Sequence, residues 1–364
     1  MTTQVLIIGA GAIGLSSAFA LARTGQRVTL IDRAVAGGES TWAGAGILSP
    51  LLPWDYGPEI NDLARRGGQL WPEWAALLER QSGVDPEYRR SGMLALDIAD
   101  VGYTEQWCRA HDWPIGEPPA ELARWTGSHR TLWLPGVGQL RNPRLVQALE
   151  RALRTMGVDV LTGVAARGLA YENSAVAGVH TGQGLLQADQ YVLAAGAWSA
   201  ALLDGHRAGL DIQPVRGQIL LFKARPNLLP CIIQQNGHYL VPRADGHILA
   251  GSTIEFVGYD KATTEAARAE LLAFARGLLP ELDESAIIKQ WAGLRPGSPK
   301  GIPTIARHPT YDNLYVNGGH FRYGVTMAPA SAEILARLIV GTGDSLDPAR
   351  YAWPGLEDAQ LDKV

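Results

Sequence analysis

The chain opens on an unbroken apolar run, Val5-Leu6-Ile7-Ile8, and passes at once into Gly9-Ala10-Gly11-Ala12-Ile13-Gly14. Such a run predicts a strand covered on both faces of a parallel sheet. A helix with small residues toward the sheet is expected over residues 16–24 and ends at Gly25. A second strand over residues 27–31 closes on Asp32. Gly9 permits the tight turn, Gly11 lets a pyrophosphate approach the backbone, and Gly14 lets the helix pack close to the strand. The helix N-terminus offers free N–H groups and the positive end of its dipole to phosphate. Asp32, at the tip of the second strand, can accept bonds from ribose hydroxyls. A glycine turn alone is weak evidence, but strand, helix, second strand and terminal acid in succession predict dinucleotide binding. Asp32 does not separate FAD from NAD.

Three further segments bear on that choice. Residues 37–47, Gly-Gly-Glu-Ser-Thr-Trp-Ala-Gly-Ala-Gly-Ile, are small, polar and glycine-dense, and can wrap a ligand through backbone N–H groups. Alone, they read equally as a surface loop. Strand-like stretches at 158–161, 163–166, 175–181 and 184–187 form a meander that ends in the buried strand and small-residue turn of 190–199. By itself that last piece is also an ordinary core strand. Near the C-terminus, residues 313–329 repeat the order strand, glycine loop, helix start. A helix is expected from about 328 to 340, with Pro329 in its first turn, where a missing N–H costs nothing. Its positive end would stabilise negative charge developing on a reduced isoalloxazine. Taken together, the four segments predict FAD.

Alternation at 218–222, 238–242 and 247–251 predicts a second sheet, followed by a helix over 265–279. Residues 50–130 are richer in tryptophan and in helical patterns and are expected on the outside of that unit. Composition narrows the function classes. The 364 residues are 46% hydrophobic and 19% charged, which suits one large or two medium folded domains. A net charge of −4 argues against nucleic acid or anionic lipid as partner. Two distant cysteines, Cys108 and Cys231, have no metal-type spacing and suggest a reducing compartment. No targeting segment or membrane span is visible, so a cytoplasmic protein is expected.

The segments Gly237-His238-Tyr239-Leu240-Val241-Pro242-Arg243, Trp291-Ala292-Gly293-Leu294-Arg295-Pro296 and Gly319-His320-Phe321-Arg322-Tyr323-Gly324 resemble the D-amino-acid oxidase family, in particular its glycine and sarcosine oxidase branch. The resemblance covers nearly the whole chain. It implies an α/β fold: a two-dinucleotide-binding, Rossmann-like FAD domain (1–50, 140–208 and 300–345) with a discontinuous α+β substrate domain on a mainly antiparallel sheet (51–139 and 209–299). It implies FAD contacts at Gly9, Gly11, Ala12, Ile13, Gly14, Asp32, Arg33, Ser40, Thr41, Ala45, Gly46, Ile47, Val164, Gly196, His320, Phe321, Arg322, Tyr323, Gly324, Val325 and Thr326. Trp42 departs from the family loop, which usually runs through small residues there.

For the substrate, the resemblance implies that Arg295 anchors a carboxylate through both oxygens, as a planar guanidinium can. Tyr239 would add its hydroxyl, Arg322 a second positive contact, and Ile254 a substrate contact. Without the resemblance, Arg295 reads as a surface salt-bridge residue in a turn after a strand, and Tyr239 as core. His238 and His320 are disfavoured as bases, because flanking histidines more often hold loops or face solvent.

The implied reaction is oxidative deamination of glycine, with sarcosine and small D-amino acids as side substrates and O2 as acceptor. No cysteine follows Cys231, so FAD is expected to be noncovalent. The resemblance also implies a homotetramer and a role in thiamine thiazole synthesis, although the same activity could serve amine catabolism. Two other readings stay open: a D-amino-acid dehydrogenase passing electrons to a quinone, and a tRNA-modifying flavoprotein domain. The second would need a basic surface.

Overall fold

The computed structural model describes residues 2–127, 129–341 and 346–354; Met1, Ser128 and 342–345, which fall inside the expected divisions, and residues 355–364 lie outside the described residues. Two sheets dominate. The first has six strands in the order Thr304–Arg307, Leu314–Gly318, Gln190–Leu193, Gln4–Ile8, Arg27–Asp32 and Asp159–Thr162. All neighbours are parallel except the first pair. Gln4–Ile8 lies between a strand reached through the first helix and one reached much later, so the connections leave it in opposite directions. The crevice at the carboxyl ends of strands at such a reversal is where α/β sheets bind ligands.

Helices Ala12–Arg23, Asn142–Thr155 and Gly324–Val340 cover one face of this sheet, with Pro58–Ser82 packed outside them. A three-stranded meander of Gly168–Glu172, Ala175–Thr181 and Gly184–Leu186 covers the other face. Asn142–Thr155 is held by its pattern: Leu145, Val146, Ala148, Leu149, Ala152 and Leu153 are buried at helical spacing. Each fully buried leucine of that kind contributes about 1.5–3 kcal/mol.

The second sheet has seven strands in the order Ile287–Gly297, Gln213–Lys223, His247–Gly251, His238–Pro242, Ile232–Gln235, Met93–Leu96 and Leu132–Leu134. It is antiparallel except where Ile232–Gln235 runs beside Met93–Leu96. Alternation sorts its faces. Leu220, Phe222, Leu240 and Ile248 join the helix Glu265–Leu278 in one core, while Ile219, Tyr239, Val241 and Leu249 face the cofactor-side core.

The mixed α/β architecture agrees with expectation, and several local readings need correction. The first helix begins at Ala12, four residues before the expected start, because the phosphate turn runs straight into it. Residues 163–166 form no strand. Residues 50–130 are not simply helical, since Met93–Leu96 belongs to the second sheet. Arg295 lies within the long strand Ile287–Gly297 and not in a turn after it. That strand is at the sheet edge, where Pro296 is tolerated.

The C-terminal helix begins at Gly324, so Pro329 sits inside it and not in its first turn. A proline there leaves the Val325 carbonyl without its helical donor. The Trp71 indole supplies one: Nε1 donates to Val325 O at 3.1 Å and to Thr326 O at 3.2 Å. Gly67, one turn earlier, makes the approach possible, since a Cβ there would meet Thr326 O at 2.1 Å. Trp71→Phe keeps most of the ring but leaves a buried carbonyl unpaired. It is expected to lower unfolding free energy by about 1–3 kcal/mol, measured as a reduced midpoint in urea with unchanged slope; an unchanged midpoint would refute the compensation.

Candidate active site

One cavity runs along the carboxyl ends of the six-stranded sheet and reaches the face of the second sheet. Its wall includes Ile8, Gly9, Asp32, Ala194 and Gly318 from the first sheet and Tyr239, Ser252 and Arg295 from the second. At the nucleotide end the fit is built from backbone. Gly9 has φ +111°, and a Cβ there would lie 2.4 Å from Ala194 O. Gly14 does not line the cavity; a Cβ on it would lie 1.8 Å from Gly9 O, so it sets how closely the helix sits on the turn.

No side chain caps the helix that starts after Gly11. Among its first amides, Ala12 N donates to Thr41 Oγ1 at 2.9 Å, which ties the turn to the 37–47 loop. Asp32 accepts from Ala10 N at 2.8 Å through one oxygen and from Ala34 N at 2.9 Å through the other. A carboxylate still has lone pairs left for ribose hydroxyls. Arg33 pairs with Glu39 at 2.7 Å and lies 3.8 Å from the centre of the Trp198 ring, so Trp198 joins the wall.

Beyond this end, Ala45, Gly46 and Ile47 line the cavity together with Gly324, Val325 and Thr326. Gly46 has φ +73°, and a Cβ on it would lie 2.0 Å from Leu140 O. Thr326 Oγ1 donates to Ile47 O at 3.0 Å. The helix beginning at Gly324 also lacks a side-chain cap, so its N-terminus can face an electron-rich ring edge. These contours fit FAD: two uncapped helix starts, and glycine positions that a Cβ would fill. Trp42 causes no conflict, because it stays out of the cavity wall and its ring packs on Trp291, 5.3 Å between centres.

At the far end Arg295 is half-buried, and its hydrogen-bond acceptors are neutral. Nη1 donates to Thr253 O at 3.1 Å and Arg216 O at 3.4 Å, and Nη2 to Ser252 Oγ at 2.6 Å. Burial, above all, and the Arg322 charge lower its pKa, while Tyr239 raises it; a guanidinium nonetheless stays charged. Two glycines make the space. A Cβ on Gly217 would lie 2.2 Å from Arg295 Nη1, and one on Gly251 would lie 2.7 Å from the Tyr239 hydroxyl. Behind them, buried Arg216 pairs with Glu255 at 2.5 Å and Asp260 at 2.6 Å. That network holds the segment whose Thr253 carbonyl cradles Arg295.

Of the residues expected at the site, Gly9, Gly11, Ala12, Ile13, Asp32, Arg33, Ser40, Thr41, Ala45, Gly46, Ile47, Val164, Gly196, His320, Phe321, Arg322, Tyr323, Gly324, Val325, Thr326, Tyr239 and Arg295 all line this cavity. Ile254 is not brought into it. That residue is 45% exposed and lines a separate groove with His238, Glu270 and Arg322. Arg322 borders both spaces, and its Nη2 donates to Gly237 O at 3.3 Å.

Neither histidine is set up as a base. His238 faces Glu270 at 3.1 Å in the groove. His320 is buried against Ser331 Oγ at 2.8 Å, and burial holds its pKa down to about 3. Ser252, Gly217, Gly251, Asn142 and Trp198 were not expected at the site. Gly217 had a signal, since a glycine inside a strand often marks a close approach.

Comparison with known proteins agrees with this geometry. A family model described as FAD dependent oxidoreductase matches residues 4–338. Over 362 residues the chain is 41% identical to the glycine oxidase of Pseudomonas aeruginosa, covering 98% of this chain and 100% of that one. It is 32% identical to the bifunctional protein ThiO/ThiG of Trichormus variabilis, over 93% of this chain and 53% of that protein. Among solved structures, glycine oxidase from Bacillus cereus superposes with a TM-score of 0.88 at 26% identity, covering 98% of this chain and 99% of that one. Iminodiacetate oxidase from Chelativorans gives 0.86 at 25%, covering 96% and 99%. The chain belongs to the FAD-dependent oxidoreductases of the D-amino-acid oxidase type, and FAD is its cofactor.

Proposed function

We propose that the chain oxidises small amino acids, glycine first, with sarcosine and small D-amino acids as further substrates and O2 as acceptor. The observation that carries this reading is Arg295: a half-buried cation, held by neutral acceptors, in the wall of the cofactor cavity. A desolvated charge without a counter-ion is costly, and an α-carboxylate supplies the counter-ion. The relatives named glycine oxidase support the choice of amino acid.

The residues act as positioners. Arg295 takes the carboxylate through paired N–H groups, and the Tyr239 hydroxyl adds a bond from the neighbouring strand. Arg322 adds positive charge at the mouth. When bound, FAD would supply the two-electron acceptor for the hydride leaving Cα, with O2 as terminal oxidant and hydrogen peroxide as its product. The substrate must arrive with a neutral amine, whose lone pair forms the imine as the hydride departs. Water then hydrolyses the imine to glyoxylate and ammonia when glycine is the substrate. Holding Cα in place supplies most of the rate. A noncovalent cofactor fits the two cysteines, both buried and free. We further propose that residues 1–50, 140–208 and 300–345 form the cofactor domain and the remainder the substrate domain, and that the chain assembles as a homotetramer. No helix among the described residues is long and apolar enough to cross a membrane.

Peroxide release on adding glycine to purified protein tests the reaction; flavin reduction without peroxide would instead indicate a dehydrogenase. Arg295→Met should cut kcat/KM by about 30- to 5,000-fold, equivalent to roughly 2–5 kcal/mol, with FAD content unchanged. Gly217→Ala drives a methyl into the guanidinium and should raise KM for glycine by roughly tenfold or more; wild-type kinetics would show that the anchor does not depend on the space Gly217 leaves.

The pH profile follows from the neutral amine. Raising pH increases that form, so kcat/KM should climb toward alkaline pH. His320→Asn should keep this limb, because the imidazole is already neutral there. Its disappearance would identify His320 as a base.

A further inference from the structure

Arg243 is a buried cation that the proposed chemistry leaves unused and that, unlike Arg216, pairs with no carboxylate among the described residues. It follows the strand His238–Pro242 and is 6% exposed. Its hydrogen-bond acceptors are neutral: Ala45 O at 2.6 Å, Leu140 O at 2.9 Å and Gln139 Oε1 at 3.0 Å. Burial pulls its pKa down to about 10. The nearest paired acids, Glu87 and Asp245, are held by Arg141 at 3.3 Å and 2.9 Å. Keeping a guanidinium here without a salt bridge is expensive, so its placement needs a reason.

The acceptors supply one. Ala45 belongs to the 44–47 loop of the FAD cavity, and Leu140 lies against the same loop, with its N–H donating to Gly46 O at 2.9 Å. Gln139 pairs with Ile47 in a short antiparallel ladder. One planar fork therefore joins both sides of this loop to the substrate sheet. The strand leading to it carries Tyr239 and Val241, which face the cofactor side, while Leu240 faces the opposite core. Alternation places Arg243 on the same side as Tyr239, about 13 Å farther along an extended chain.

We propose that Arg243 is a positioning residue: its guanidinium fixes the cavity loop at Ala45–Gly46 to the strand that carries Tyr239, and so sets the register between the substrate anchor and bound FAD. The inference rests on FAD binding and not on which amino acid is oxidised. Lysine cannot reproduce the fork, because it presents a compact ammonium in place of a planar array of donors.

The test is titration of apoprotein with FAD, followed by flavin fluorescence, and the visible spectrum at saturating FAD. Arg243→Met is expected to raise the FAD dissociation constant by roughly tenfold or more and to shift the flavin band. Arg243→Lys should recover only part of the affinity. Leu240→Val, on the other face of the strand, should change neither readout even where it lowers thermal stability. If Arg243→Met does not accumulate as folded protein, Arg243→Lys decides on the same two readouts. Wild-type FAD affinity and an unshifted band in the Arg243 variants would overturn the proposal, as would equal changes in Leu240→Val.

Discussion

A cation that must stay charged while out of water governs the organisation around the cavity. Arg295 is given carbonyls and a hydroxyl in place of a carboxylate. Neutral acceptors offset part of the desolvation without neutralising the charge, so attraction for an anion remains. A carboxylate partner from the protein would compete with any incoming acid. The nearby acid Glu255 is instead committed to Arg216, Thr253 and Gln218. Its pKa is lowered by these partners against the opposing effect of burial. The network thus braces the Arg295 cradle while keeping the negative charge occupied elsewhere.

The two sheets divide the work by geometry. The parallel sheet ends its strands at one crevice, and its backbone shapes that crevice. The antiparallel sheet turns one face toward the crevice. On its edge strand, Trp291, Gly293 and Arg295 alternate onto that face: Trp291 Nε1 donates to Ala43 O at 3.1 Å, Gly293 leaves room for Ala43, and Arg295 enters the cavity. A single strand therefore sets both the spacing between the sheets and the height of the carboxylate anchor. Period-two alternation fixes both at once, since slipping the register by one residue would turn all three side chains away.

Much of the nucleotide end was legible because its signals are local. Gly14 and Asp32 are constrained by neighbours within one strand–helix–strand unit, and the left-handed turn at Gly9 needs a glycine on local grounds even before Ala194 closes over it. The C-terminal helix was legible in kind but not in position. Pro329 reads as a first-turn residue, and its interior place depends on Trp71, 258 positions away (329 − 71). Strand Met93–Leu96 was hidden for a similar reason: four residues among helical patterns do not announce a parallel partner at Ile232–Gln235. Ser252 follows the strand His247–Gly251, and its burial and the 2.6 Å bond it accepts from Arg295 depend on distant residues that a serine after a strand does not announce. Arg295 itself looked like a turn residue because proline and glycine follow it, yet an edge strand accommodates both.

What the far end of the cavity offers a substrate is orientation more than proton transfer. His320 is held neutral by burial, and His238 stands in the outer groove. Burial also raises the Tyr323 pKa well above the ordinary phenol value, so its hydroxyl keeps its proton. The remaining polar groups are a fixed guanidinium, phenol and serine hydroxyls, and backbone. Groups of this kind can hold the carboxylate end of a small amino acid but cannot choose its outcome by titration. Selectivity then has to come from where the held end places the rest of the molecule. That demand explains why Gly217, Gly251 and Gly293 lie so close to side chains of the site: a rigid anchor positions Cα only if the surface beneath it cannot give.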